Sequence, residues 1–387
     1  MMLVIRTSRM LIICVIIIIL LTGCWNRVEV NDIAIVTAIG IDLTEDDKLL
    51  LSIQVAIPVK LGPTSGSQGG SSNSTFVVSE TGDTISEAYR NIQGKISRNI
   101  FFSQSRVLLI GEDMAKKGIS NIIDFHSRYN EPRINSFIMF TKGQASELIN
   151  NMPQLESISA EETKELAKIG AGLSVYIRDF MNMLLTDGKE PVAPQFSLTP
   201  LEENTKNKSR EGQEINGAAV FKGDKLVGWL DKTETRGLLW IRNEIETGVI
   251  TINIPEDQGG GNISFEIIRV DSKIKPKLQN GEINLSVDVT SELSIMENDS
   301  KLNVDQTQVL DELEKYVENE IKDRIQLVVD IAQKEYQSDI FGFGQAVYKK
   351  YPKEWNVALK NNWDQTFEQL EVNITPKVFI RRIGLSK

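Results

Sequence analysis

Apolar positions along this chain recur with two periods, and the places where the period changes divide it into elements. From Ile33 to Ile41 both alternate sets are apolar, with Ile33, Ile35, Ile39 and Ile41 on one side and Ala34, Val36 and Ala38 on the other. That pattern predicts a strand covered on both faces. An acidic turn, Thr44 to Asp47, joins it to a second apolar run from Leu49 to Ile57, so a hairpin is expected. Residues 62–74 are Gly- and Ser-rich and read as a loop. Thr75 to Ser79 is strand-like, and Thr84 with Glu87 has capping-box spacing ahead of a helix carrying Ile85, Ala88, Tyr89, Ile92 and Ile96. A strand over Arg106 to Gly111, a helix through Ala115, Ile119, Ile122 and Phe125, a strand from Ile134 to Phe140 and a short helix from Gln144 to Asn150 follow. This alternation predicts a layered α/β domain. Leu166, Ile169, Leu173, Tyr176, Phe180 and Leu184 predict one longer helix, closed by Asp187-Gly188 and Pro191.

Residues 202–214 contain no hydrophobic side chain and are assigned as a linker, with an N-terminal α/β domain over 24–201 and a C-terminal α+β domain over 215–387. The second half opens with a hairpin, Ile215 to Phe221 and Leu226 to Leu230, turned at Gly223-Asp224. A helix with Leu238, Leu239, Ile241 and Ile245 and a strand from Val249 to Ile254 precede a long twisted hairpin turned at Asn280-Gly281. Val309, Leu313, Val317, Ile321, Ile325, Val328 and Ala332 step by threes and fours, predicting a helix over 305–337, about 50 Å long at about 1.5 Å per residue. Shorter helices at Phe343 to Lys350 and Lys353 to Lys360 and a last strand around Leu370 to Ile380 complete the chain; Pro376 places that strand at an edge or a bulge. The fold class is therefore α+β and multi-domain, with mixed β-sheets, flanking helices and one long C-terminal amphipathic helix.

Composition narrows the chemistry more than the fold. With 387 residues, 43 Lys+Arg against 53 Asp+Glu and a net charge of -10, the overall field does not attract nucleic acid. Two cysteines and one histidine, His126, leave little from which to build a zinc site or a Ser-His-Asp triad. His126 is read as a buried or capping imidazole. Gly342-Phe-Gly344 starts like a dinucleotide fingerprint but lacks its third glycine and follows a helix. The five tryptophans, Trp25, Trp229, Trp240, Trp355 and Trp363, are read as core or interface anchors. No catalytic residue, cofactor or metal ligand is assigned.

The amino terminus is more specific. Arg6 and Arg9 precede an apolar run from Met10 to Leu21, which reaches only about 18 Å against a hydrocarbon core of about 30 Å, so residues 1–23 are expected to be a signal peptide. Leu21-Thr22-Gly23-Cys24 resembles the bacterial lipobox. Cleavage after Gly23 would leave Cys24 as the one cysteine, carrying S-diacylglycerol and an N-acyl chain. Two or more acyl chains anchor stably where one does not.

These segments together resemble the Ger(x)C family, the lipoprotein C subunit of spore germinant receptors. The resemblance rests on Cys24-Trp25 with Glu29, Asp32 and Gly40-Ile41-Asp42, on Phe101 to Glu112, and on Arg128 to Arg133. It is most specific at Gly217 to Leu230 with Glu234-Thr-Arg236-Gly-Leu-Leu-Trp240, and extends to Tyr351 to Trp355, Trp363 and Phe367. The family often has a histidine where Gln104 or its neighbour stands in this chain. The resemblance implies a non-enzymatic, palmitate-bearing lipoprotein on the outer face of the inner spore membrane, partnered by a polytopic A-type and a permease-like B-type subunit and needed for nutrient-triggered germination. Two other readings stand beside it: a solute-binding lipoprotein of an importer, which needs two similar lobes, and an envelope hydrolase, which needs an essential acid.

Overall fold

The computed structural model describes residues 6–8, 11, 29–57, 74–129, 131–170, 172–200 and 211–382. Cys24, nearly all of the signal segment, almost all of the 62–74 loop and most of the linker lie outside the described residues. Two sheets organise the rest. The first has nine strands: β1 (Ile33–Leu43), β2 (Leu49–Ala56), β3 (Thr75–Gly82), β4 (Asn99–Phe101), β5 (Val107–Gly111), β6 (Phe137–Thr141), β7 (Val192–Pro200), β8 (Glu211–Lys222) and β9 (Lys225–Leu230). Their order is β3-β2-β1-β5-β6-β7-β8-β9, with β4 paired to one end of β1. The centre, β1-β5-β6-β7, is parallel and both flanks are antiparallel hairpins.

The central strands are apolar on both faces because helices cover both. Alternate residues of β5 and β6 part company: Leu108, Ile110, Ile138 and Phe140 join one core, and Val107, Leu109, Phe137 and Met139 join the other. The period-2 geometry of a strand produces this split. Over the first face lie α1 (Ile85–Gln93), α2 (Glu112–Lys117), α3 (Ser120–Arg128) and α6 (Ile177–Leu185); over the second lie α4 (Ala145–Asn150) and α5 (Ser159–Lys168). Thr84 Oγ1 accepts from the Glu87 N–H at 3.2 Å, while the Glu87 carboxylate accepts from Asp83 N–H at 2.8 Å, one residue earlier than a strict capping box.

Three expectations change. The stripe from Ala115 to Phe125 is two helices, because Gly118 at φ 125° turns the chain between them and Ile119 N–H bonds to Asp224 O in the β8–β9 turn. The single helix expected from Leu166 to Leu184 is likewise split into α5 and α6. Gly170 at φ 74° breaks it, and Val175 O accepts from Ile138 N–H, drawing the intervening segment onto β6. Residues 211–214, assigned to the linker, are the first residues of β8 and pair with the end of β7. A polar strand end forms there because its partner strand, not its own side chains, supplies the ladder.

The second sheet, order β10-β11-β12-β13, comprises β10 (Val249–Asn253), β11 (Asn262–Gln279), β12 (Glu282–Asn298) and β13 (Val372–Arg382). The long hairpin turns at Asn280-Gly281 as expected. Helix α7 (Lys232–Arg242) carries a capping box, Asp231 with Glu234. Helix α8 (Thr307–Lys334) buries Leu313, Val317, Ile321, Ile325, Val328 and Ala332 against the sheet. Where α7 meets α8, a Cβ on Gly237 would lie 2.4 Å from Arg324 O, so only glycine permits the approach. Strand β13 is an edge, as Pro376 suggested. Its outward N–H groups at Val378 and Ile380 donate to Glu318 and Glu314 of α8 at 3.1 and 2.8 Å, and Pro376, two residues earlier, has no such group to satisfy. Past α9 (Phe343–Lys350), the helix expected from Lys353 is a short turn, a wide turn at Trp355–Leu359 and a tight one before α10 (Trp363–Gln369).

Candidate functional site

Cys24 and Trp25 lie outside the described residues; His126, Asp42 and the Gly342 to Gly344 turn, also singled out by the sequence, serve the fold. His126 is buried, with Nδ1 2.9 Å from Ile122 O and its ring edge-on to Phe125. The carbonyl can only accept, so Nδ1 carries the proton; Nε2 is buried without a partner, and burial holds the imidazole below its ordinary pKa and therefore neutral. Asp42, from Gly40-Ile41-Asp42, is also buried. Its two carboxylate oxygens accept from Ala145 N–H at 2.7 Å and Ser146 N–H at 3.0 Å, capping α4 across the sheet. Burial pushes its pKa up.

Gly342-Phe-Gly344 wraps a carboxylate instead of a nucleotide. Asp339 is buried and accepts from the N–H groups of Gly342, Phe343 and Gly344 at 2.8–3.0 Å and from Trp363 Nε1 at 3.0 Å. Burial lifts its carboxyl to about 6 against the opposing pull of these four donors. The same turn meets the first half of the chain. Gly188 lies against Gly344 so closely that a Cβ on either would come within 2.6 Å of the other's backbone, with Trp355 and Trp363 packed on both sides. Sequence reasoning placed both glycines at element ends but had no signal that they touch.

Next to this contact a cavity of about 250 Å³ opens, lined by Lys189, Arg242, Glu244, Ser272, Gln345 and Lys349 together with the apolar Ile241, Ile274 and Phe341. A second, of about 280 Å³, shares Lys189, Arg242, Glu244 and Gln345 with it. Arg242 is paired with Glu244 at 2.8 Å. Lys189 makes no hydrogen bond or ion pair among the described residues, and burial, then the neighbouring Arg242, hold its ammonium down to about 8. A larger groove of about 770 Å³ runs past Asp47, Asp83, Asp124 and Asp224 beside Lys117 and Arg128. Among the described residues there is no group of three His, Cys, Asp or Glu side chains placed to hold a metal.

The second-half segment Gly217 to Leu230 forms β8 and β9, and Arg236 lies on α7. Its Nε and Nη2 are buried without a partner, and a Cβ on Gly248 would fall 2.3 Å from Nη2. Comparison with known proteins accounts for these segments. The description "Spore germination protein N-terminal domain" matches residues 26–198, and "Spore germination B3/GerAC like, C-terminal" matches residues 216–384. The putative spore germination protein YfkR of Bacillus subtilis is 30% identical over 97% of this chain and 95% of its own. The chain belongs to the GerAC-like spore germination family. Other members it resembles are the spore germination protein KC of B. subtilis, 27% identical over 98% of this chain and 97% of the relative, and spore germination protein B3 of the same organism, 27% identical over 91% of each. The crystal structure of the GerBC protein superposes with a TM-score of 0.56 over 88% of this chain and 96% of that one, at 22% identity, so the fold is shared. The α+β architecture with a long C-terminal helix is that of this GerAC-like family member.

Proposed function

We propose that this protein is a lipid-anchored, non-enzymatic subunit of a spore germinant receptor, required for nutrient-triggered germination. The observation that carries the reading is continuity: the two family segments cover residues 26–198 and 216–384, and a lipobox ending at Cys24 stands directly before the first. Cleavage after Gly23 and acylation of Cys24 would hold the folded part at the outer face of the inner spore membrane, where a polytopic A-type and a permease-like B-type subunit are its partners. A chain of net charge -10 gains nothing from anionic lipid headgroups, so acyl chains are the anchor that suits it.

The importer reading requires two similar lobes. Here the two sheets differ, one mixed and nine-stranded, completed by β8 and β9 from the second half of the chain, and the other of four strands under one long helix. The deciding experiment has two arms. Cys24→Ala should abolish incorporation of labelled palmitate and release the protein from spore membranes, and a tagged wild-type chain should co-purify with both membrane subunits. Germination of spores lacking this gene and its paralogues at the wild-type rate in every nutrient would sink the proposal.

A further inference from the structure

The cavity beside Lys189 has the composition of a ligand site for a small, doubly charged oxyanion. Three cationic side chains from three separate elements reach it: Lys189 from the connection between α6 and β7, Arg242 from the last turn of α7, and Lys349 from α9. Glu244 compensates Arg242, whose side chain is 9% exposed. Lys189 and Lys349 have no hydrogen-bonded carboxylate among the described residues; Glu244 lines the same space of about 250 Å³, so three positive charges stand there against one negative. Asp339 is near Lys189 and favours its charge, but its hydrogen bonds go to four neutral donors and none to the lysine. Ser272 and Gln345 add neutral polar side chains to the lining.

This concentration of positive charge is unusual in a chain with ten more acids than bases. A lysine held without a counter-ion in a partly desolvated place costs free energy that a solvated surface position would not. Folding has no use for that arrangement, since an apolar residue would pack the same space more stably. A bound anion gives it one.

We propose that the Lys189–Arg242–Lys349 cavity binds a small dianion, a phosphate or a dicarboxylate, seated between the two halves of the chain. Lys189 and Lys349 supply charge and free ammonium donors; Arg242, fixed by Glu244 through Nε and Nη2 and by Met183 Sδ at 3.8 Å through Nη1, adds a third positive charge held in place, and the Gln345 amide adds a neutral donor. Because the first half contributes Lys189 and the second half the remainder, occupancy would tighten the contact between halves.

The test is calorimetric titration of the full chain in detergent with inorganic phosphate and, separately, with succinate, at constant ionic strength. Saturable binding of at least one probe is expected, with Lys189→Met weakening it at least tenfold and Lys349→Ala, at an exposed position that leaves folding intact, weakening it at least threefold. Binding of phosphate alone assigns a phosphate-bearing ligand, and binding of succinate alone a dicarboxylate. Absence of saturable binding by either probe overturns the proposal, as does binding that survives both substitutions unchanged.

Discussion

The contact between Gly188 and Gly344 offers a sharp test of how the halves are joined. A methyl on Gly344 would sit 2.6 Å from Gly188 Cα and 2.7 Å from the Trp363 ring, while one on Gly188 would meet Gly344 and Trp355 at 2.6–2.7 Å with its own backbone at φ 73°. Overpacking of a tight core site costs about 1–3 kcal/mol, and a left-handed non-glycine residue adds about 1–2 kcal/mol. Gly344→Ala should therefore destabilise by about 1–3 kcal/mol and Gly188→Ala by about 2–5 kcal/mol. Each substitution forces the same two backbones apart, so the second should cost less once the first is present. The double variant should fall short of additivity by more than about 0.5 kcal/mol. Gly281→Ala is the control: its φ is 87° but nothing lies within 4 Å, so only the backbone penalty of about 1–2 kcal/mol applies. Urea titrations followed by tryptophan fluorescence read all four variants, since Trp355 and Trp363 flank the contact. A Gly344→Ala variant within about 0.5 kcal/mol of wild type, or strict additivity of the pair, would show that the halves do not meet as described.

Further consequences can be measured on the same protein. Lys189 has a folded pKa of about 8 against an ordinary 10.5, so its contribution is lost as pH falls through 8; Lys189→Met should be about 3 kcal/mol more stable than wild type at pH 7, the gap narrowing to under about 1 kcal/mol at pH 10 in thermal melts. Asp42→Ala leaves the Ala145 and Ser146 N–H groups without an acceptor and should cost about 2–4 kcal/mol in urea. Replacing Glu314 and Glu318 together by alanine bares two edge N–H groups of β13, which should cost about 2–4 kcal/mol and raise light scattering on storage; unchanged scattering would remove edge protection as their role.

Whatever depends on neighbours in the chain could be read directly. The two-sided apolar run at Ile33 to Ile41 read as a strand covered on both faces, and the period of Leu313, Val317, Ile321 and Ile325 as a long helix buried on one side, because each pattern follows from the geometry of its own element. The turns at Gly223-Asp224 and Asn280-Gly281 and the edge position of Pro376 followed from backbone preferences alone. Contacts between distant segments were decided by tertiary structure. The helix stripes break at Gly118 and Gly170 where Asp224 O and β6 compete for the backbone, and strand β8 extends into residues 211–214 because β7 is there to pair with it. Nothing in the local sequence singled out Asp339 or Lys189; folding brought Gly342 to Gly344 around one and left the other facing a cavity. Periodicity records which side of an element is buried, but not which other element buries it. A buried charge acquires its meaning from the groups that folding brings to it: the two N–H groups that Asp42 accepts from lie 103 and 104 residues along the chain, and no local window contains them.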